Sequence, residues 1–422
     1  MLQTLKVRIS DLDVGMFVSG LDRSWLGTPF ATQGFFIRNQ EDIDRLREYC
    51  DYVMVDQRRS KQSDIFRTRR THQVSREKAD EGTKRGRARI SVEKIFSGRA
   101  IKPYLKDSSF EEEHPRASRA LDMLVTDVDQ IFDEVGEGQK LNVVKLRKSV
   151  EPIVESISRN PDACMWVARL KQHDQYTYKH SLGAAIWSVS VGRQLGLQRH
   201  DLRSLAMGCM LMDVGKLRIS QELLQAKREL SNEEMAEVSG HVEHGLDILS
   251  ESGILNQDVI DIVAHHHERY NGSGYPAGLV RGQIPAFAAI AAIVDTYDAI
   301  TSRRSYAEAL SPSAAIKLLY GGRDQDFQAE LVEAFIQAIG IYPAGTLVEL
   351  SSGEVAVVVA ESRTRRLLPK VLLLLDADKQ PVKGKKIIDL HRVNTNGSSK
   401  KRSIKSALEP DAYGIDLTKV SL

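Results

Sequence analysis

Cysteine is scarce in this chain of 422 residues, and its three cysteines lie far apart. Because Cys50, Cys164 and Cys209 form no Cys-x-x-Cys pair, the sequence excludes a disulfide framework and a thiolate zinc site. Long apolar runs are also absent: the longest, from Ile284 to Val294, is too short to cross a bilayer. The first residues lack the apolar core of a signal peptide. We therefore expect a cytoplasmic protein without a membrane span.

A strong net charge is missing as well, since the formal net charge is only +2. Nucleic acid is therefore not expected as a partner of the whole protein. Basic residues are nevertheless concentrated in residues 57–106, which contain sixteen Lys or Arg against five Asp or Glu and few large apolar residues. Such a segment cannot bury enough surface to offset its ordering entropy. We interpret residues 61–114 as a flexible basic linker. The alternative is an arm that binds nucleic acid, acidic lipid or an acidic partner.

Changes in hydrophobic periodicity divide the rest of the chain. Residues 1–60 contain four short β-prone runs and one helical stretch with Asn39 as its N-cap, which predicts a small α/β domain. Residues 115–340 have helical periodicity almost throughout. Strand-like runs follow in residues 341–394, and residues 395–422 are typical of a flexible tail. The expected fold is mainly α: a helical bundle with a small mixed N-terminal domain and a short β-rich C-terminal extension.

Six residues of the helical region could bind a divalent metal ion, and they come from five separate helical stretches. They are His180, Asp213, His241, His266, His267 and Asp295. Facing helices of a bundle can direct such side chains into one central site. Imidazole with carboxylate suits Fe, Mn, Ni or Zn, and a shared carboxylate suits a two-metal site for phosphoryl chemistry. His265 is expected to point elsewhere, because consecutive helical residues point about 100° apart. Asp298 could be a metal ligand, but a helix cap or a solvated surface charge explains it equally well.

The order of these motifs resembles the HD-GYP family of metal-dependent phosphohydrolases. The motifs are HDQYTYKHS at 173–181, MDVGK at 212–216, GHVEHG at 240–245, HHERYNGSGYPAGL at 266–279 and IVDTYDAITSRRSY at 293–306. The resemblance implies an HD-type helical bundle, two or three iron or manganese ions, and hydrolysis of cyclic di-GMP to the linear dinucleotide or GMP. Residues 1–56 resemble a domain of unknown function that often precedes HD-GYP modules.

The resemblance also implies roles for individual residues. All six candidates match metal ligands of the family, with Asp213 as the bridge between two ions. Catalysis is assigned to Asp213 and Lys216. The residues implied in substrate binding are Lys216, Arg304, Gly274, Tyr275 and Pro276. A lysine can stabilise charge that grows on phosphoryl oxygens, and the arginine fork suits a phosphate.

Methionine replaces the histidine of the family's His-Asp motif, so the pair reads Met212-Asp213. A thioether is a soft, weak donor and a poor substitute for imidazole on Fe or Mn. One metal position then keeps three protein ligands, namely His180, Asp213 and Asp295. The other position keeps four, namely Asp213, His241, His266 and His267. We therefore expect one intact metal site and one weakened site.

Three lesser departures accompany this change. Asn271 stands where the family usually has aspartate. Ala307 stands where the family often has a basic residue directly after its Arg-x-Tyr motif. Tyr176 replaces the glutamate found in three-metal members, which favours a two-metal type. The leading hypothesis is a cyclic di-GMP phosphodiesterase impaired by the loss of one ligand. The alternative is an inactive cyclic di-GMP receptor or protein-interaction module, and hydrolysis of another phosphoester is a third interpretation. A homodimer and signalling proteins are further candidate partners.

Overall fold

A computed structural model describes most of the chain. The described residues are 4–22, 35–37, 39–56, 60, 90–105, 108–170, 179–226, 228, 230–302, 309–362, 366–395, 402–409 and 412–420. They form two compact units, Met1–Ala88 with Arg363–Leu367, and the remainder. Among these residues no helix combines the length and hydropathy that a membrane crossing requires.

The N-terminal unit is a four-stranded antiparallel sheet with one helix, in the strand order β1-β4-β2-β3. Its elements are β1 (Thr4–Arg8), β2 (Phe17–Leu21), β3 (Phe35–Phe36), α1 (Gln40–Tyr49) and β4 (Tyr52–Asp56). The side chain of Asn39 accepts a hydrogen bond from the backbone N–H of Asp42, which confirms the predicted N-cap. Alternate strand residues such as Val53 and Val55 pack with Leu46 of the helix to form the core.

Residues 90–105 cross the surface of the helical domain, which differs from the flexible linker expected there. Helix α2 (Val92–Ile95) is followed by Phe96, which is buried. Arg99 forms ion pairs with Asp201 and Asp258. The backbone N–H of Lys102 donates to the carbonyl of Gly196 at 2.7 Å. Composition predicted disorder because it counts charges without their partners, and here two carboxylates neutralise one of the cations. Residues 61–89 lie outside the described part.

The helical domain begins at residue 110, five residues before the expected boundary. Its helices are α3 (Phe110–Gly136), α4 (Val143–Arg159), α5 (Pro161–Leu170), α6 (Lys179–Leu195), α7 (Arg199–Leu211), α8 (Gln221–Leu224), α9 (Asn232–Ser239), α10 (His241–Glu251), α11 (Gln257–His265), α12 (Ala286–Thr301), α13 (Pro312–Gly321) and α14 (Ala329–Ile339). A capping box between Ser109 and Glu112 starts α3. Helices α7 and α12 each pack against α6 and α11 and also contact each other, so their buried faces meet in the interior of the domain.

A five-stranded antiparallel sheet in the order β8-β7-β6-β5-β9 forms the C-terminal part. Its elements are β5 (Leu347–Leu350), β6 (Val355–Ala360), β7 (Lys370–Leu375), β8 (Pro381–Asp389), α15 (Leu390–Thr395) and β9 (Ile404–Ala407). The expected flexible tail at 395–422 is wrong for β9, which pairs with β5. The apolar strand β5 is otherwise an open edge, and β9 satisfies its backbone groups. The mainly α fold with a small mixed N-terminal domain and a β-rich extension is confirmed.

Candidate metal centre

Asp213 lies two residues after the end of α7, where the chain turns into the short 3-10 segment Val214–Arg218. The second residue of this segment has to be glycine, because a Cβ atom on Gly215 would lie 1.9 Å from the carbonyl oxygen of His241. The two backbones therefore approach closely, and the first residue of α10 lies beside Asp213. The Nε2 atom of His241 is 3.4 Å from Oδ1 of Asp213.

The end of α11 brings two neighbouring histidines to the same carboxylate. The Nε2 atom of His266 is 3.8 Å from Oδ1 of Asp213 and 3.4 Å from Nε2 of His241. The ring of His267 lies 4.0 Å from the ring of His266, measured between centroids. One potential ligand atom from each of these four residues lies within 4.8 Å of the others. His265 does not belong to this group, which we call the four-ligand cluster.

Backbone carbonyls fix the tautomer of two of these imidazoles. The Nδ1 atom of His241 lies 2.8 Å from the carbonyl oxygen of Val238, and Nδ1 of His266 lies 3.1 Å from that of Val263. A carbonyl oxygen only accepts hydrogen bonds, so each neutral ring carries its proton on Nδ1. Each Nε2 atom then keeps a free lone pair on the side of Asp213. Metal-binding histidines are commonly held in this way.

Burial sets the charge of the cluster. Desolvation lowers the pKa of His241 to about 4 and that of His267 to about 2, so both rings are neutral near pH 7. Burial alone would raise the pKa of Asp213, but Lys216, with its Nζ 2.8 Å from Oδ1, and the nearby histidines hold that pKa well below its usual range. Neutral imidazoles around an ionised carboxylate are the protonation states that bind a metal ion.

The donor set and its spacing fit a divalent metal ion. A tetrahedral ion with bonds of about 2.1 Å has ligand atoms about 3.4 Å apart, close to the separations found here. Oδ1 of Asp213 is buried, and it lies 2.8 Å from Nζ of Lys216 and 3.4 Å from Nε2 of His241. The four-ligand cluster could therefore hold a metal ion.

His180 and Asp295 lie next to this cluster but contact each other directly. The Nε2 atom of His180 is 2.7 Å from Oδ1 of Asp295 and 4.0 Å from Oδ2 of Asp213, while its Nδ1 is 2.9 Å from Oδ2 of Asp298. Burial opposes protonation of His180, but the hydrogen bonds to Asp295 and Asp298 raise its pKa to about 10. Met212 is fully buried at the end of α7. It brings only a thioether to this side of the centre.

The Gly-Tyr-Pro loop folds back over the histidines. A Cβ atom on Gly274 would lie 2.4 Å from the carbonyl oxygen of His267, so only glycine permits this approach. The backbone N–H of Tyr275 donates to that same carbonyl at 3.3 Å. Its ring stacks on the ring of His267, with 4.6 Å between centroids. The loop thus covers one ligand of the four-ligand cluster, and Pro276 continues it.

Glu268 and Asp298 support the centre, and sequence reasoning missed both. Glu268 is buried and accepts hydrogen bonds from the backbone N–H groups of Ala277 and Leu279, at 2.8 and 2.9 Å. Asp298 is buried rather than a cap or a solvated charge, because His180 pairs with it. A signal was available for Asp298: it and Asp295 are the two charged residues of an otherwise apolar helix α12.

Other predicted features of the site have different outcomes. Asn271 keeps the turn that an aspartate would make, since its Oδ1 accepts from the backbone N–H of Ser273 at 2.8 Å. Arg304, Ala307 and Tyr176 lie outside the described residues, so the predicted phosphate contact of Arg304 stays a prediction.

Three protein-family models match successive parts of the chain. The sequence matches the HD domain over residues 163–331, a domain of unknown function (DUF3391) over residues 4–146, and a KOW domain associated with HD domain over residues 347–413. The bundle that gathers the histidines and aspartates is thus an HD domain. The N-terminal match extends well beyond the 1–56 expected from the sequence, into helix α4.

Similarity to individual proteins shows which family of HD domains the chain resembles. A cyclic di-GMP phosphodiesterase of Pseudomonas aeruginosa is 30% identical over 396 residues, covering 92% of this chain and 89% of that protein. The cyclic di-GMP phosphodiesterase response regulator RpfG of Xanthomonas campestris pv. campestris is 38% identical over 148 residues, covering 35% and 39%. A solved HDG"Y"P protein from Bdellovibrio bacteriovorus aligns with a TM-score of 0.45 and 16% identity, over 79% of this chain and 98% of that one. The chain belongs to the HD-GYP family.

Proposed function

We propose that this chain is a metal-dependent cyclic di-GMP phosphodiesterase, which hydrolyses the dinucleotide to its linear form or to GMP. The observation that carries the proposal is the four-ligand cluster, whose three imidazoles and one carboxylate fit a metal ion. The relatives named above, one of them similar along almost the whole chain, are cyclic di-GMP phosphodiesterases. We propose that His180 and Asp295 are ligands of a second, weaker site that lacks the imidazole at residue 212.

The residues around the cluster divide the work of the reaction. A bound divalent metal ion would supply a hydroxide nucleophile near neutral pH and polarise the phosphate. Asp213 lies beside both groups of candidate ligands, so its carboxylate would help to hold a metal ion in each of them. Lys216 is partly exposed with its ammonium group beside Asp213, so it can contact a phosphate and stabilise charge that develops on its oxygens. Tyr275 and its loop cover the centre and limit access of bulk water, and Arg304 holds a substrate phosphate.

Met212 favours a second candidate function, a cyclic di-GMP receptor without catalysis. Its side chain is buried and its sulfur is a poor ligand for Fe or Mn. In the direct hydrogen bond between His180 and Asp295, Nε2 of the imidazole and Oδ1 of the carboxylate contact each other. These are the two atoms that would otherwise bind a metal ion. A chain of this kind would bind the dinucleotide through Lys216 and the loop and signal to a protein partner by its conformation.

Finer properties follow from the same donor set. Nitrogen and oxygen ligands without thiolate suit Fe or Mn, and after them Ni or Zn. Cyclic di-GMP is a second messenger inside bacterial cells, so we propose that the chain acts in the cytoplasm. A homodimer and signalling proteins remain proposed partners.

The test is incubation of the metal-free full-length chain with Mn²⁺ or Fe²⁺, followed by elemental analysis and by chromatography of a cyclic di-GMP reaction. We expect at least one equivalent of bound metal and a linear product that increases with enzyme concentration. The His241→Gln variant should lose the metal and the product. The His244→Gln variant, on the same helix but outside the four-ligand cluster, should keep both.

A different experimental result would contradict each part of the proposal. A chain that binds no stoichiometric metal after supply of Mn²⁺ or Fe²⁺ would contradict the metal centre. A chain that binds metal and cyclic di-GMP but releases no product would replace the phosphodiesterase with the receptor. Product formation that survives His241→Gln would place the chemistry at another site.

A further inference from the structure

One face of helix α6 is arranged around a single carboxylate of α12. His180, Gly183 and Trp187 are spaced at i, i+3 and i+7, so they lie on the same side of the helix. This side faces α12, and α6 and α12 pack together. Asp295 and Asp298 have the i, i+3 spacing on α12 and contact His180 from there. The three residues of α6 therefore lie opposite the two aspartates of α12.

Asp298 is held from two directions, and both of its oxygens are used. Oδ2 accepts a hydrogen bond from Nδ1 of His180 at 2.9 Å. Oδ1 accepts one from the indole Nε1 of Trp187, also at 2.9 Å. Asp298 and Trp187 are fully buried, which makes each of these bonds costly to break without replacement. The indole therefore orients the carboxylate, and the carboxylate orients the imidazole.

Gly183 makes room for this arrangement. A Cβ atom at residue 183 would lie 2.2 Å from Oδ1 of Asp298 and 2.8 Å from its Cγ. Any other residue would displace the carboxylate from its place between the indole and the imidazole. Glycine at this position is therefore required for Asp298 to contact both Trp187 and His180.

We infer that Trp187 and Asp298 are positioning residues that fix the ring of His180, with Nδ1 bound to Asp298 and Nε2 directed to Asp213 and Asp295. The inference rests on the proposed function, because it takes His180 as a ligand of the weaker metal site. A carboxylate on the far nitrogen orients an imidazole ligand and makes it a better donor. This orientation of His180 matters more with methionine at residue 212 than it would with histidine there. With Met212, His180 is the single imidazole among the ligands proposed for the weaker site.

The test is a Mn²⁺ titration of the full-length chain in the native sequence and in the Met212→His background. Asp298→Asn keeps the size of the side chain but removes its charge. Loss of such a supporting group typically weakens metal binding about 10–100-fold. We expect a loss in this range for the weaker Mn²⁺ equivalent, with the stronger equivalent changed less than about twofold. In steady-state hydrolysis, kcat should fall while KM stays nearly constant.

Two tryptophans provide a matched pair of variants. Trp187→Phe removes the indole N–H that donates to Asp298 and keeps an aromatic ring, so it should weaken the same equivalent in the same direction as Asp298→Asn. Trp166 is also fully buried, but its Nε1 has no hydrogen-bond partner among the residues that the structure describes. Trp166→Phe should therefore leave Mn²⁺ binding unchanged. Thermal unfolding of each variant identifies any that fails to fold.

Folded Asp298→Asn and Trp187→Phe variants with native Mn²⁺ constants in both backgrounds would overturn the inference. It also fails if His180→Ala titrates like its parent in both backgrounds, because His180 then binds no metal. Failure of the proposed function looks different: no linear product forms, although the weaker Mn²⁺ equivalent still responds to Asp298→Asn.

Discussion

Residue 212 lies at the end of α7, fully buried and directly before Asp213 of the four-ligand cluster. Replacing Met212 with histidine returns an imidazole donor to that point, with little change in volume. We expect Met212→His to raise the bound metal by up to one equivalent and to raise the rate of cyclic di-GMP hydrolysis. Removal of one ligand-supporting group alone costs about 10–100-fold in affinity or activity, so the gain should be at least of that order. Elemental analysis and initial rates measure both.

Met212→Leu is the control for this substitution, because it keeps an apolar side chain of similar size and removes the sulfur. It should match the native chain if the thioether is not a ligand. If Met212→His gains metal but no activity, the site has lost more than this one ligand.

Residue types and their spacing were sufficient to predict which candidate ligands lie together. They were not sufficient to predict which residues support those ligands. The structure brings Asp213, His241, His266 and His267 together as the sequence predicted. Glu268 and Asp298 were not predicted in their roles. Their roles depend on burial and on hydrogen bonds to backbone or distant side chains, and neither is encoded in local spacing. A carboxylate in an apolar helix was the available signal, and it identifies a buried charge without naming its partner.

At the scale of elements, the contact between the 3-10 segment Val214–Arg218 and α10 decides whether Asp213 and His241 can meet. A Cβ atom on Gly215 would lie 1.9 Å from one backbone atom of α10 and 2.5 Å from another. Gly215→Ala should therefore separate the two elements and lower the free energy of unfolding by about 1–3 kcal/mol or more. It should also weaken metal binding. Urea unfolding and Mn²⁺ titration provide the measurements.

Gly136 offers the matched control for this glycine. It ends α3, and an added Cβ atom would meet nothing within 4 Å. Gly136→Ala should be neutral or stabilise the chain by up to about 1 kcal/mol, as expected in a helix. Equal effects of the two substitutions would show that close backbone contact is not the cause.

The segment at residues 90–105 joins the first turns of two helices through one side chain. Arg99 pairs with Asp201 at the start of α7 and with Asp258 at the start of α11, and Asp201 is fully buried. Arg99→Ala leaves a buried carboxylate without its cation. Because the arginine is itself about one third exposed, we expect a loss of about 2 kcal/mol, less than for a fully buried pair. Urea unfolding measures it.

Lys94 belongs to the same segment, is exposed, and serves as the control. Lys94→Ala should change the free energy of unfolding by less than about 0.5 kcal/mol. If Arg99→Ala is equally mild, the segment is not fastened by this ion pair. The helices and strands themselves were well predicted, because their periodicity is local. This segment was not well predicted, because its order depends on carboxylates that lie 102 and 159 residues further along the chain.

For the whole molecule, the site histidines predict a stability maximum in the metal-free chain. His241 and His267 have pKa values lowered to about 4 and about 2, from 6.5. The unfolded chain then binds more protons below pH 6.5, so stability falls as the pH decreases from 6.5. His180 has its pKa raised to about 10, so the folded chain binds more protons above pH 6.5 and stability falls as the pH rises towards 10. The melting temperature should peak near pH 6.5.

Thermal unfolding in the presence of a chelator, from about pH 4 to pH 10, tests this expectation. His180→Gln should remove the alkaline decline, whereas His244→Gln should keep it. A native melting temperature that stays constant from pH 6.5 to 10 would contradict the paired state of His180.

Strand β9 gives the C-terminal sheet a particular order of assembly. It covers the edge of β5, although more than fifty residues separate the two strands along the chain. During synthesis on the ribosome, β5 to β8 emerge first, and the apolar edge of β5 stays open until β9 has been made. A nascent chain that stalls before residue 404 therefore carries an unpaired apolar strand, which is a surface for association with other chains. The last-made strand of this sheet is the one that protects it.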